Sequence, residues 1–231
     1  MRLFEAGPVY LGDGPKDQRT YVTALVQPTR ERHWQGAPDT YDAQSAKADL
    51  YAVLAALGQP PARFQISEPR QSFWHPGRAA RLTLGPKTTV AHFGALHPRV
   101  LKTLGVDAPA FGFELNLNAL PNMKTATSKT KPVLDKADLT PIRRDFAFVV
   151  TEDVAAGSIL QLAQKADKKL ITNVSVFDVY QGEGIEDGQK SVAIEVTLQP
   201  RGETLKDKDI EAVSEAIIAN VQKGTGGTLR A

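Results

Sequence analysis

The stretch ITNVSVFDVYQGEGIEDGQKSVAIEVTL, residues 171–198, constrains the fold more than any other part of the chain. Val192, Ile194, Val196 and Leu198 alternate with Ser191, Ala193, Glu195 and Thr197. Successive side chains of a strand point to opposite faces, so this strand buries one face and shows the other to water. The preceding run predicts a second strand, with Phe177 and Val179 on the core face and Asp178 and Tyr180 on the other. Residues 181–189, with Gly182, Gly184 and Gly188, predict the hairpin loop between them. Asp178, Tyr180 and Ser191 are thereby expected together on an open sheet surface. A carboxylate, an aromatic face and a hydroxyl make a candidate site for an unpaired base.

The rest of the second half fits one arrangement around this hairpin. IRRDFAFVV predicts a strand with Phe146, Phe148 and Val150 on one face and Arg143, Asp145 and Ala147 on the other. Residues 157–170 predict a helix with Ile159, Leu162, Ala163, Ala166 and Leu170 along one stripe. A second helix follows, with Ile210, Val213, Ile217 and Val221 inward and a capping box expected from Thr204 and Asp207. TLR closes as a short strand. The order β-α-β-β-α-β is the ferredoxin-like arrangement, whose helices cover one sheet face and leave the other free.

The first half predicts an α+β domain on an antiparallel sheet. RLFEAGPVY and TYVTALVQ read as paired strands, and Asp42 as the N-cap of a helix over 43–57. Short strands follow near 63–67, 80–84, 89–94 and 111–117, with a short helix at 98–104. In FWHPGRAARL, Pro76 and Gly77 predict a tight turn into a strand. His75, His92 and His97 match no metal-ligand spacing and read as structural or surface residues. GxGxxG, P-loop and nucleophile-elbow patterns are all absent from the sequence.

Between the halves, LPNMKTATSKTKPVLDKADLTP loses apolar periodicity and reads as a boundary. Its Lys124, Lys129, Lys131 and Lys136 either touch phosphate or simply solvate a tether. The domains expected are 1–120, a linker at 121–138, and 139–231. Charge divides the same way. Residues 1–137 carry 17 Lys and Arg against 11 Asp and Glu, and residues 138–231 carry 11 against 15, giving +6 and −4. A domain at −4 is a poor nonspecific binder of polyanions, so any RNA contact there must be local. With no cysteine, thiolate chemistry and zinc–thiolate sites are excluded. No apolar run approaches eighteen residues and no signal-peptide pattern opens the chain, so no membrane partner and a cytoplasmic setting are expected.

PIRRDFAFVV, FDVYQGEG, KSVAIEV, TLKDKDIEAV and GGTLR resemble the ferredoxin-fold anticodon-binding domain that ends the β subunit of bacterial phenylalanyl-tRNA synthetases. RLFEAGPVY, the HW and YD that precede the first helix, FWHPGRAARL, HFGALHPRV and FGFELNLNAL are similar to the last part of that subunit's catalytic-like module. The likeness covers nearly the whole chain and departs at 122–138, which looks like an insertion.

The resemblance implies that residues 1–120 are a class II synthetase-like segment without catalytic residues, packed on an α subunit in an α2β2 heterotetramer. ATP, Mg2+, phenylalanine and the reaction centre would belong to α, leaving this chain without a cofactor and inactive alone. The editing site would lie upstream, so the chain would be a C-terminal piece whose Met1 is not the natural start. It also implies that Asp178, Tyr180 and Ser191 contact the anticodon of tRNA(Phe). Arg143 and Arg144 are candidate auxiliary contacts, Arg143 pairing with Asp145 or Asp178. Two other readings stay open: a small-molecule regulatory module on the same fold, or purely an assembly element.

Overall fold

The computed structural model describes residues 1–28, 34, 41–121, 133 and 136–230. The chain divides into two units, residues 1–129 and 130–231. Much of the expected linker, including Lys124, Lys129 and Lys131, lies outside the described residues, as does His33. Lys136 is described and forms an exposed ion pair with Asp138 at 2.7 Å.

In the first unit, β1 (Arg2–Tyr10), β2 (Gln18–Val26), β3 (Gln65–Ser67), β4 (Trp74–Leu84), β5 (Thr88–Leu96) and β6 (Phe111–Asn116) form one sheet in the order β1-β2-β6-β5-β4-β3. Every pairing is antiparallel. Helix α1 (Ala43–Ala56) buries Leu50 and Leu54 against Leu82, Phe93, Phe113 and Leu115. It starts where expected: the Asp42 carboxylate accepts from the Ser45 amide at 2.8 Å. That bond holds the Asp42 carboxyl below its ordinary pKa. Helix α2 (Pro98–Thr103) begins with the His97 imidazole accepting from the Arg99 amide at 3.1 Å. Strand β4 begins at Trp74 rather than after the turn, because Trp74 pairs with Leu96 and a register shift absorbs Pro76 and Gly77 before Ala79 meets Gly94.

In the second unit, β7 (Ile142–Thr151), β8 (Ile171–Tyr180), β9 (Gln189–Leu198) and β10 (Thr228–Leu229) form an antiparallel sheet in the order β10-β7-β9-β8. With α3 (Ala156–Gln164) and α4 (Asp207–Thr225) inserted after β7 and β9, this is the βαββαβ order expected. Phe146, Phe148, Val150, Val192, Ile194, Val196 and Leu198 pack with Ile159, Ala163, Ile210, Val213, Ile217 and Val221 in one core. Both helices therefore cover the same sheet face. The opposite face carries Arg143, Asp145, Ala147 and Val149 of β7 beside Thr197, Glu195, Ala193 and Ser191 of β9.

Two helix ends differ from expectation. Helix α3 stops at Gln164, six residues before Leu170, because the Asp167 carboxylate captures the amides of Lys169 and Leu170 at 2.7 and 2.9 Å. An Asx-type bond of this kind offers the backbone an alternative to the helical ladder. Helix α4 begins after Lys206, not at Thr204. Of its two first-turn acids, Asp207 and Asp209, it is Asp209 that accepts from the Lys206 amide, at 3.1 Å. Among the described residues no helix is long and apolar enough to cross a membrane.

Candidate nucleic-acid interface

Strand β8 lies at the edge of its sheet and contains a bulge. Val176 pairs with Ile194 and Asp178 pairs with Ala193, leaving Phe177 as the extra residue. A bulge shifts the alternation of a strand by one, and so re-aims every side chain beyond it. Val174 and Val176 consequently pack toward the helices. Asp178 and Tyr180, which regular alternation would send the same way, emerge on the open face opposite Ala193 and Ser191.

The expectation that Phe177 joins the core is corrected: it is 59% exposed, and Val176 takes the inward position. Val179 points to the core side opposite Val192, but at the end of the sheet it is 52% exposed.

The open face thus brings Asp178, Tyr180 and Ser191 together. They differ in access. Asp178 is exposed and has no hydrogen-bond or ion-pair partner among the described residues. Tyr180 is partly exposed, and its hydroxyl donates to the Glu183 carbonyl at 3.2 Å. Gly182 closes against the same ring with φ +150°, and a Cβ there would come within 2.9 Å of the Tyr180 Oη. Ser191 is only 4% exposed, flanked by Tyr180 on one side and Val149 on the other. It belongs to this face but not to a wet surface.

The two arginines separate. Arg143 lies on the open face, as alternation requires, and its ion pair is with Glu195 at 3.6 Å rather than with Asp145 or Asp178. Glu195 sits on the central strand, diagonal to Arg143 and within reach of its long side chain. Arg144 faces the helix side, beside Asp207, Glu211 and Glu215 of α4. It is on the wrong face to act with Tyr180.

One residue on this face went unnoticed in the sequence. The Arg230 amide donates to the Ala147 carbonyl at 2.7 Å, which carries the chain past β10 along β7. Its guanidinium carbon lies 5.6 Å from the Tyr180 ring centroid, reaching from the β10 edge over β7 and β9 to β8. Ala147 and Ala193, paired across β7 and β9, supply the small side chains on the face between them. The signal was the final TLR: a strand register placing Thr228 beside Val149 puts Arg230 on the Tyr180 face.

In the first unit, His75 and His97 stack at 6.2 Å, each with Nδ1 accepting a backbone amide. His92 is buried against Trp74, with ring centroids 6.3 Å apart. No cluster of three or more metal-ligating side chains occurs among the described residues.

Comparison with known proteins agrees with these two units. Residues 137–230 match the family model described as a ferredoxin-fold anticodon binding domain. Residues 1–117 match that of the phenylalanyl tRNA synthetase beta chain CLM domain. The chain is 47% identical over 236 residues to the phenylalanine–tRNA ligase beta subunit of Rhodopseudomonas palustris. It is 46% identical to those of Bradyrhizobium diazoefficiens and Rhodospirillum rubrum, over 236 and 232 residues. Each alignment takes in 100% of this chain and 29% of the relative. Two family models in the order of the two folded units, and relatives aligned along the whole chain, place it in one family. The chain belongs to the phenylalanyl-tRNA synthetase β-subunit family.

Proposed function

We propose that this chain supports the ATP-dependent charging of tRNA(Phe) as the C-terminal region of a synthetase β subunit, contacting the anticodon region through its second unit. The observation that carries this is the placement of Asp178 and Tyr180 side by side on the uncovered face of a ferredoxin-like sheet, within the segment that matches an anticodon-binding domain. A carboxylate accepts from ring and exocyclic N–H groups of a base and repels phosphate, which suits base reading. Base–aromatic stacking is worth roughly 1–3 kcal/mol, so one tyrosine gives modest affinity and the rest of the enzyme supplies the remainder. Ser191 joins the contact once the side chains around it move.

The first unit serves as the docking segment for the α subunit in an α2β2 enzyme, with ATP and Mg2+ held by α. Supporting this is strand β1, a sheet edge whose Leu3, Phe4 and Tyr10 are 54%, 86% and 71% exposed, followed by Leu11 at 64%. A long apolar edge of this kind is a ready surface for another chain. The cytoplasm, where tRNA is charged, is the setting this role requires.

The test is Tyr180→Ala in the reconstituted enzyme. KM for tRNA(Phe) should rise several-fold with adenylate formation unchanged and the second unit folded. Unaltered tRNA kinetics in a folded variant would remove the stacking role. The 231-residue chain alone should form no aminoacyl-adenylate from ATP and phenylalanine.

A further inference from the structure

We infer that Arg230 is a placeholder on the base-stacking ring: it covers Tyr180 in the free protein and becomes a phosphate contact when a base takes its position. This rests on the anticodon-contact reading above and adds to it a residue and a sequence of events.

Three observations carry it. First, position. The guanidinium carbon stands 5.6 Å from the Tyr180 centroid. A base laid on the ring needs contact at about 3.5 Å on each of its two faces. The gap is too small for a base between ring and guanidinium, so Arg230 must lift or slide for a base to stack on the face it covers. Second, hold. The backbone at Arg230 is anchored independently by its bond to Ala147, so the side chain is free to leave without releasing β10. An exposed cation–π contact is weaker than base–aromatic stacking, and the exchange runs in favour of the base. Third, uncommitted donors. Asp145, Asp178 and Glu195 share this face, yet Arg230 forms no ion pair with them among the described residues. Its fork of N–H donors remains available for phosphate oxygens, for which guanidinium geometry is suited.

The exchange also answers a problem of charge. Residues 138–231 sum to −4, and with an unpaired carboxylate at the contact point they repel an RNA backbone. A cation parked on the aromatic ring and released beside the incoming nucleotide supplies attraction at the one place where it is needed. Tyr180 thereby keeps its ring covered until RNA arrives.

The experiment uses the full chain and an anticodon stem-loop RNA of tRNA(Phe), titrated by NMR at several salt concentrations with wild type, Arg230→Gln, Arg230→Lys and Tyr180→Ala. Amide spectra confirm folding of each variant. Arg230→Gln should weaken binding about five- to ten-fold at low salt and reduce the slope of log K against log salt by about one. Arg230→Lys should keep the slope. Binding by Arg230→Gln that is equal or tighter, with an unchanged slope, would overturn the inference and leave Arg230 as a cover for the ring. If Tyr180→Ala weakens binding but Arg230→Gln does not, only this inference fails. If Tyr180→Ala binds as well as wild type, or wild type does not bind, the anticodon-contact reading fails with it.

Discussion

Val176 and Asp178 lie two residues apart on β8 and point to opposite faces of the sheet, because Phe177 is inserted between their partners Ile194 and Ala193. The bulge lets an apolar pair, Val174 and Val176, pack against the core while Asp178 and Tyr180 turn to the open face. Phe177→Ala should then change stability by no more than about 0.5 kcal/mol in urea unfolding, as expected of an exposed position. Phe148→Ala, at a fully buried site, should cost about 3–5 kcal/mol. Deleting Phe177 would leave Val176, Asp178, Val179 and Tyr180 in regular alternation opposite the same partners, so RNA contact should be retained. Comparable losses for the two alanine variants would place Phe177 in the core after all.

A second prediction concerns the sheet of the first unit. Gly94 and Gly112 face each other across β5 and β6. Gly94 has φ +127°, and a Cβ there would stand 2.4 Å from both the Ala79 Cα and the Arg78 carbonyl oxygen. These are backbone atoms of the neighbouring strand and cannot swing aside. Gly94→Ala combines overpacking with a disfavoured backbone region and should destabilise the first unit by on the order of 3 kcal/mol. Thermal unfolding would check it, with a Tm close to that of wild type as the contrary result.

Much of this was legible in the sequence. Period-two alternation in β7 and β9 and the apolar stripes of α3 and α4 determined the ferredoxin-like order, since each pattern allows one way to bury its face. The family likeness pointed to Asp178, Tyr180 and Ser191. The bulge was not legible: VSVFDVY alternates well on either side of Phe177, and only pairing with β9 reveals the extra residue. Its consequence is an exposed Phe177, while Ser191 is buried because it sits on an inner strand between Val149 and Tyr180. Helix ends were missed for a related reason. Asp167 and Asp209 act on backbone amides nearby, and around Asp209 the acids Glu203 and Asp207 offered a similar pattern. Arg230 was missed because a cross-sheet contact depends on the register of a two-residue strand.

His92 gives a prediction with a defined pH window. Burial, helped by the nearby positive charges of Arg81 and Arg70, lowers its pKa to about 4. In the unfolded chain it would titrate near its ordinary value of 6.5. The stabilising effect of a depressed pKa is full above the unfolded value and is lost as pH falls from there through the folded value. Tm should therefore drop between about pH 6.5 and 4. Glu114, paired with His92 across the sheet, has a pKa raised by burial and acts in the opposite sense, gaining stability as pH falls. The His92 share is isolated by subtracting the profile of His92→Gln, which should be flatter across this window. Parallel profiles for the two proteins would show that His92 does not remain neutral in the folded state.

Asp178 supplies the last prediction. Its carboxylate is exposed, lacks a partner among the described residues, and stands beside Tyr180 on the open face. With no internal bond to lose, Asp178→Asn should leave stability within about 0.5 kcal/mol of wild type. Its effect on RNA should be larger. A hydrogen bond to a charged acceptor is worth about 1.5–3 kcal/mol, and an amide replaces that acceptor with a weaker one and adds a donor. The neutral amide would also repel phosphate less, so backbone attraction and base reading should move in opposite directions. The expected result is about ten-fold weaker binding to the anticodon stem-loop of tRNA(Phe). Binding to an RNA hairpin with an unrelated loop should be unchanged or slightly tighter. Equal weakening for both RNAs would mean that Asp178 supports the shape of the loop after β8 rather than reading a base.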